Sequence, residues 1–475
     1  MTDTQPTDPN YSQRLALIRE LHQSPTMLVL ATTGGGSLVI GDLCSVPGGS
    51  QTLLEAVVPY TRASITRFVA RVPGQYCSVR TARQLAMAAF QRGQYLLDVN
   101  RSGDKILSEA VHYAEYDDSK GAIVVGSPFN YRLTERVDLA DSIGLIGVGC
   151  TASLVTDQEK KGEHRLHIAT QTLRRTTTCS LRLLKGARNR LEEERLAADL
   201  IVNMILNARE ELPTNEPLND DGEKSHPFLA GTSKKIEIRE VLPLGLRDSE
   251  KVIGRRTIVS LPLLDLFFGK NSAVLWRNGK IQYRREVGSS QRPAFNPYAE
   301  CSQAIFSGSF NPIHEAHRQM VEISQERLGN RVSLEIAVQS VDKPMLDYID
   351  LEDRLEKIEA MIPGQVVWLT RTKMFEEKAD LFRETMFVVG ADTLRRFADL
   401  RFYSGSIRRL HDVLRMIAYR NCRFLVFARR GEGVLETMKT LQIPDMLRSL
   451  CDEVPVDEFA VNLSSSGIRE QEDNQ

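Results

Sequence analysis

From residue 303 onward, short and nearly continuous apolar runs alternate with segments of helical period, and this rhythm restricts the fold more than any single residue does. The runs Ala304 to Phe306, Val332 to Val338, Val366 to Leu369, Met386 to Val389 and Phe424 to Phe427 read as strands. Between them, Ile313 to Leu328, Leu351 to Met361, Thr393 to Leu400 and Ile407 to Tyr419 read as helices. Strands without polar alternation are buried on both faces, so each run followed by a helix predicts a parallel sheet covered on both sides. A looser alternation occupies the first half. There Met27 to Ala31 runs into Thr32-Thr33-Gly34-Gly35-Gly36-Ser37, a strand, glycine turn and helix start. Strands are expected at Leu53 to Val58, Ile143 to Val148 and His164 to Thr170, and helices from Val79 to about Leu97 and over about Asn189 to Leu206.

The 475 residues suggest about three folding units at roughly 150 residues each. Between the two alternating regions the composition shifts to Glu, Asp, Asn and Pro (Glu210-Glu211-Leu212-Pro213, Asn219-Asp220-Asp221-Gly222), the mark of a solvated linker. The sequence therefore divides into a polar leader, 1–24; an α/β domain, 25–206; an acidic linker, 207–226; a mainly β connecting segment, 227–300; a second α/β domain, 301–470; and a charged tail, 471–475.

Several functional classes drop out on composition. With 61 basic and 62 acidic residues there is no bulk charge to hold a polyanion, so no nucleic acid partner is expected. The seven cysteines are scattered and never form a Cys-x-x-Cys pair, which argues against a disulfide framework or zinc ribbon. The longest strongly apolar stretch, Ile258 to Phe268, is far shorter than the roughly 20 residues of a membrane span. With no signal-peptide pattern at the start, the reading is a cytoplasmic protein without a membrane partner.

The stretch most informative about chemistry is Phe306-Ser307-Gly308-Ser309-Phe310-Asn311-Pro312-Ile313-His314-Glu315-Ala316-His317, just after the first strand of the second α/β domain. Gly308 lets a ligand approach the backbone, and Pro312 is expected to preset the first turn of the helix. That helix offers free N–H groups and its positive dipole end to an anion, with His314 and His317 on one face. Such a site suits a triphosphate. The zinc motif His-Glu-x-x-His places its histidines four apart, whereas these are three apart with no third ligand, so no metal site is assigned. A P-loop is excluded because no Gly-Lys-Ser or Gly-Lys-Thr follows a glycine-rich turn.

Gly308 to His317 resembles the signature of the nucleotidyltransferase superfamily, in the form used by nicotinamide or nicotinate mononucleotide adenylyltransferases. Leu463-Ser464-Ser465-Ser466-Gly467-Ile468-Arg469 resembles that family's second signature, Val389-Gly390-Ala391-Asp392 its nucleotide-binding turn, and Lys343-Pro344 with Arg354 its Lys-Pro and downstream Arg. Two departures are Ala316, where the family has Gly, and Phe402-Tyr403, where it has Trp. The resemblance implies a Rossmann-like fold and adenylyl transfer from ATP to a mononucleotide, with Mg2+ arriving alongside the ATP. It implies that His314 and His317 are catalytic. Gly308, Ser309, Phe310, Gly390, Asp392, Ser465, Ser466 and Arg469 would bind the nucleotide. Another phosphate acceptor, a bifunctional enzyme and a non-catalytic nucleotide-binding scaffold stay open, as does a homo-oligomer.

The N-terminal half resembles the CinA C-terminal family, which includes nicotinamide mononucleotide deamidases. The resemblance rests on Ala31 to Gly36, Ser45 to Ser50, Val58-Pro59-Tyr60, Ser78 to Ala86 and Gly147 to Ala152. The family's nucleophilic Ser falls on Thr32, its preceding Glu on Ala31 and its Lys on or near Ile65. A hydroxyl nucleophile needs a base, and the expected one is absent. Thr32, Thr33, Gly35 and Gly36 are therefore the candidates for a residual pocket, in a separate CinA-like α/β domain whose amidase chemistry is expected to be lost.

Overall fold

The structure is a computed structural model that describes residue 8 and residues 10–102, 114–117, 122–125, 142–158, 160–210, 226–227, 234–236, 238–283, 304–339, 345–431 and 434–459. The chain divides into two units, each built on its own sheet.

In the C-terminal unit the sheet order is Cys451–Glu453, Arg423–Phe427, Met386–Gly390, Ala304–Ser307, Val332–Ala337, Val367–Thr370, Ala273–Arg277, Lys280–Tyr283 and His226–Pro227. The first six are parallel, and the last three extend the sheet antiparallel. Counted along the chain, the parallel strands lie in the order 6-5-4-1-2-3. Strand Ala304–Ser307 therefore sits between the second and the fourth, and the connections depart from it in opposite directions. That reversal opens a crevice at the C-terminal ends of Ala304–Ser307 and Met386–Gly390, where ligands bind in sheets of this kind.

Helix Ile407–Tyr419 shows how the sheet is covered. Leu410, Val413, Leu414 and Ile417 recur at i, i+3, i+4 and i+7, and all four are buried with Phe387, Val389 and Phe424 of the strands. Ser406 caps that helix by accepting from the Arg409 N–H. Helix Phe375–Leu381, absent from the sequence expectation, follows the strand Val367–Thr370.

The N-terminal sheet runs Leu53–Val57, Met27–Thr33, Leu145–Ser153, His164–Gln171, Arg175–Leu183, Val252–Ile258 and Lys234–Ile236. Its first three strands are parallel and the others antiparallel. Helix Val79–Ser102 lies directly on Leu145–Ser153, because Gly147 and Gly149 leave room for it; a Cβ on either would collide with the carbonyls of Ala86 and Ala82. Alternate residues of that strand, Ile146 and Val148, face the other way into a core shared with Leu200 and Ile201 of helix Arg190–Glu210.

Two expected boundaries move. Residues 11–22, set apart in the leader by their polar flank, form the helix Tyr11–His22, whose Ile18 and Leu21 belong to the N-terminal core. Its buried Arg14 bonds Asp8, Asp42 and Asp199. The segment 227–300, read as one connecting piece, is divided: Val252–Ile258 and Lys234–Ile236 complete the first sheet, while Leu261–Phe267 and the strands Ala273–Arg277 and Lys280–Tyr283 belong to the second unit. Short β-branched runs carry no label for the sheet they will join, so composition alone merged them.

Candidate active site

The loop after Ala304–Ser307 is folded tightly on itself. The Gly308 N–H donates to the Glu335 carbonyl at 3.0 Å. A Cβ on Gly308 would lie 2.7 Å from the Phe310 ring, so glycine is needed here for a steric reason. Phe310, at φ 42°, turns its ring inward, where it packs edge-on at 5.1 Å from Phe306 and 5.2 Å from His317. Only 1% of Phe310 is exposed, and its ring supports His317. Ser309 is exposed, and its carbonyl accepts from Arg354 Nη1 at 2.7 Å.

Pro312 also has a different place from the one expected. The Asn311–Pro312 peptide is cis and lies in a turn, and the helix Glu315–Leu328 begins three residues later. His314 is the residue at the helix entry, with the extended backbone (φ -147°, ψ 172°) that an N-cap position requires.

The two histidines meet at that entry. Their rings stack with centroids 3.7 Å apart and planes 25° apart. The His314 backbone N–H donates to His317 Nδ1 at 3.2 Å, so the proton of the neutral His317 ring is on Nε2. His314 is 5% exposed, and neither of its ring nitrogens has a partner in the protein. Burial, reinforced by the charge of Arg429, holds His314 down to about 4. Burial, then His314 and Arg429, holds His317 down to about 3. Both rings are neutral donors or acceptors near pH 7.

Across the crevice, Gly390 caps the helix Ala391–Phe397. A Cβ there would stand 2.6 Å from Asp392 Oδ1, so the carboxylate lies over the glycine. Asp392 Oδ2 accepts from Arg429 Nη1 at 2.9 Å, while Oδ1 is buried without a hydrogen-bond partner. Ser307 Oγ is likewise buried and unpartnered. Arg429, beside Asp392, is a residue that sequence reasoning did not single out. The signal was present: it follows the apolar run Phe424 to Phe427, and the end of every parallel strand in such a sheet reaches the same edge. Ser465, Ser466, Arg469, Lys343 and Pro344 lie outside the described residues. Among the described residues no group of three or more His, Cys, Asp or Glu is arranged to hold a metal ion, and no helix is long and apolar enough to cross a membrane.

The glycine turn of the N-terminal unit has another character. Thr32 is fully buried, and its hydroxyl donates to the Gly35 carbonyl at 2.6 Å. Thr33 is also buried. A Cβ on Gly36 would press on Ile201 Cδ1. Arg190 Nη2 donates to the Gly34 carbonyl, and the Ser37 N–H and hydroxyl both donate to Glu194 Oε1 at 2.7 Å. Ala31 and Ile65, the positions of the absent acid and amine, are buried in one apolar cluster with Val69 and Leu85.

The fold and these residues define a nucleotidyltransferase-like domain. The cytidylyltransferase-like family matches residues 305–471, a span holding both histidines, Asp392 and Arg429. A probable nicotinate-nucleotide adenylyltransferase of Gloeobacter violaceus is 25% identical over 183 residues, 35% of this chain and 82% of that protein. The N-terminal region matches two solved structures. One is a competence-damaged protein (CinA) superfamily member from Escherichia coli (13% identity, 43% of this chain and 93% of that one, TM-score 0.27). The other is a competence/damage inducible protein from Agrobacterium tumefaciens (14% identity, 44% and 99%, TM-score 0.27). Likeness at that level says nothing about what the N-terminal unit does.

Proposed function

We propose that the C-terminal unit transfers the adenylyl group of ATP to the phosphate of nicotinate or nicotinamide mononucleotide, releasing pyrophosphate. The observation that carries this reading is the stacked His314–His317 pair at the sheet's switch point, buried and neutral, with both His314 ring nitrogens open, beside the Gly390–Asp392 turn. The named activity of the Gloeobacter relative points to the mononucleotide acceptor.

The acceptor phosphate attacks the α-phosphorus in line, and the enzyme's contribution is to place both reactants and meet the charge that develops. His317 Nε2–H donates to the α-phosphate, and His314 holds the neighbouring phosphates. Asp392 Oδ1 accepts from the nucleoside, and Ser465, Ser466 and Arg469 bind the outer phosphates. Mg2+ enters with ATP as part of the substrate, and these residues form no cage of their own for it.

We propose further that the N-terminal unit is no amidase. Thr32 gives its proton to a carbonyl instead of a base, and the positions that would activate it are apolar packing. The test is pyrophosphate release from ATP with a panel of acceptors: nicotinate mononucleotide, nicotinamide mononucleotide, phosphopantetheine and a sugar phosphate. Release with the first or second is expected, together with no ammonia from nicotinamide mononucleotide. Calorimetric binding of ATP without release would instead make the chain a nucleotide sensor.

A further inference from the structure

Resting on the adenylyl-transfer reading, we propose that Arg429 is a catalytic residue that meets the α-phosphate of ATP, and that Asp392 positions it there while keeping one oxygen for the nucleoside. Three independent observations place Arg429 at the reacting centre. The strand that ends two residues before it, Arg423–Phe427, pairs with Met386–Gly390 so that Phe427 lies beside Gly390, which brings Arg429 to the mouth of the crevice. Its bond to Asp392 engages one of the five guanidinium N–H donors, and the two side chains are 38% and 35% exposed, so the pair stands in the opening and not in the core. It is also the one cation among the described residues whose charge bears on both His314 and His317.

The chemistry gives such a cation a task that the histidines cannot perform. In the transfer an oxygen of the acceptor phosphate forms a bond to the α-phosphorus, and the bond from that phosphorus to the bridging oxygen breaks. Pyrophosphate departs with the electron pair, and no redox partner is needed. Negative charge is spread over the non-bridging oxygens as the phosphoryl centre passes through the transition state. Two neutral imidazoles can donate hydrogen bonds to that charge without neutralising it. A guanidinium supplies both a full positive charge and a planar fork. Asp392 Oδ2 fixes the plane of the fork, and Oδ1, buried and open, is left for a hydroxyl of the nucleoside. Asp392 is thus a positioning residue for Arg429 as well as a binding group, and its loss should be felt in turnover as well as in affinity.

The experiment uses the full chain with MgATP and whichever mononucleotide supports pyrophosphate release. Arg429→Ala should lower kcat by about 100-fold or more while moving the KM for ATP by less than about tenfold, the pattern of a donor used chiefly in the transition state. Arg429→Lys should recover part of the loss, since it keeps the charge without the fork. The decisive readout is ATP carrying sulfur on the α-phosphorus. Wild type should prefer one diastereomer, and Arg429→Ala should lose that preference, which a merely structural role would leave intact. Asp392→Asn should also lower kcat, and the double variant should be no slower than the slower single one, because both remove the same contact. Arg395→Ala, an exposed residue paired with Glu436, is the control expected to behave as wild type. If Arg429→Ala fails to melt cooperatively, the diastereomer preference of Arg429→Lys and Asp392→Asn carries the test. Wild-type turnover in Arg429→Ala, or a loss with the preference unchanged, overturns the role of Arg429 while leaving adenylyl transfer standing, provided His317→Ala is inactive. No pyrophosphate release by wild type with any mononucleotide overturns the underlying reading itself.

Discussion

Each unit carries a glycine turn at the end of an internal parallel strand, one after Met27–Thr33 and one after Ala304–Ser307, and their surroundings treat them in opposite ways. At the first, the chain supplies its own partners: Gly35 for Thr32, Glu194 for Ser37 and Gly34 for Arg190, with only Glu194 Oε2 left lacking a hydrogen bond. At the second, His314 Nδ1 and Nε2, Ser307 Oγ and Asp392 Oδ1 are all buried and open. An unsatisfied buried polar group costs about 1–3 kcal/mol, and on the proposed reading the nucleotide satisfies the cluster around the C-terminal crevice. Shared strand–glycine–helix form does not distinguish the two turns; the unpaired polar atoms do.

The hardest test of that contrast is a pair of substitutions. His317→Ala should cut pyrophosphate release by about 100- to 1,000-fold, the usual loss when one transition-state donor is removed. Thr32→Ala should leave it unchanged. Equal effects from the two would show that the distinction between an open and a closed turn is wrong. Next in size is Gly308→Ala. The added methyl would sit 2.7 Å from the Phe310 ring, and the ring is what His317 leans on. Turnover should fall by up to ~100-fold, the scale of a catalytic group misplaced by about 1 Å. Retained activity would mean that Phe310 yields without moving the histidine.

How far the sequence disclosed this differs between the two turns. The parallel C-terminal sheet was readable because continuous apolar strands and helical stripes such as Leu410, Val413, Leu414 and Ile417 are local patterns. The proposed site residues Gly308, His314, His317, Gly390 and Asp392 could be picked out because they lie close to the ends of those strands. Arg429 was not, since its meaning comes from lateral strand order, and Gly390 becomes its neighbour only through pairing of Met386–Gly390 with Arg423–Phe427. The packing of the Phe310 ring on His317 was not readable, because composition cannot tell an aromatic that stacks on a ligand from one that props up a histidine. The absence of a base at Ile65 was legible in the sequence. Its physical form was not, namely that Ala31 and Ile65 share an apolar cluster.

The histidine pair also sets a pH dependence that the N-terminal turn lacks. Unfolded histidine takes up a proton near pH 6.5, whereas the folded rings do so only near about 4 and about 3. Between those limits the unfolded chain binds more protons, so stability is complete above pH 6.5 and is lost as the pH falls toward 3. Denaturant midpoints should drop between pH 6.5 and 4 in the wild type, and less so in His314→Gln/His317→Gln. His314 and His317 imidazole resonances, assigned by substitution, that titrate near 6.5 would mean that the rings are not buried together.

The smallest expected effect lies at the closed turn. Thr32→Val keeps the volume and removes only the hydroxyl, whose bond to the Gly35 carbonyl is a net contribution of about 0.5–1.5 kcal/mol. That carbonyl also receives the Cys150 thiol at 3.7 Å, so it is not left empty, and the loss should fall at the lower end. Thermal melting should shift slightly, with adenylyl transfer unaltered and ammonia release from nicotinamide mononucleotide at background before and after. The comparison breaks if the wild type releases ammonia and Thr32→Val does not. Thr32 would then have to exchange its carbonyl partner for a base that the resting turn holds away, and the closed turn would be a second working site.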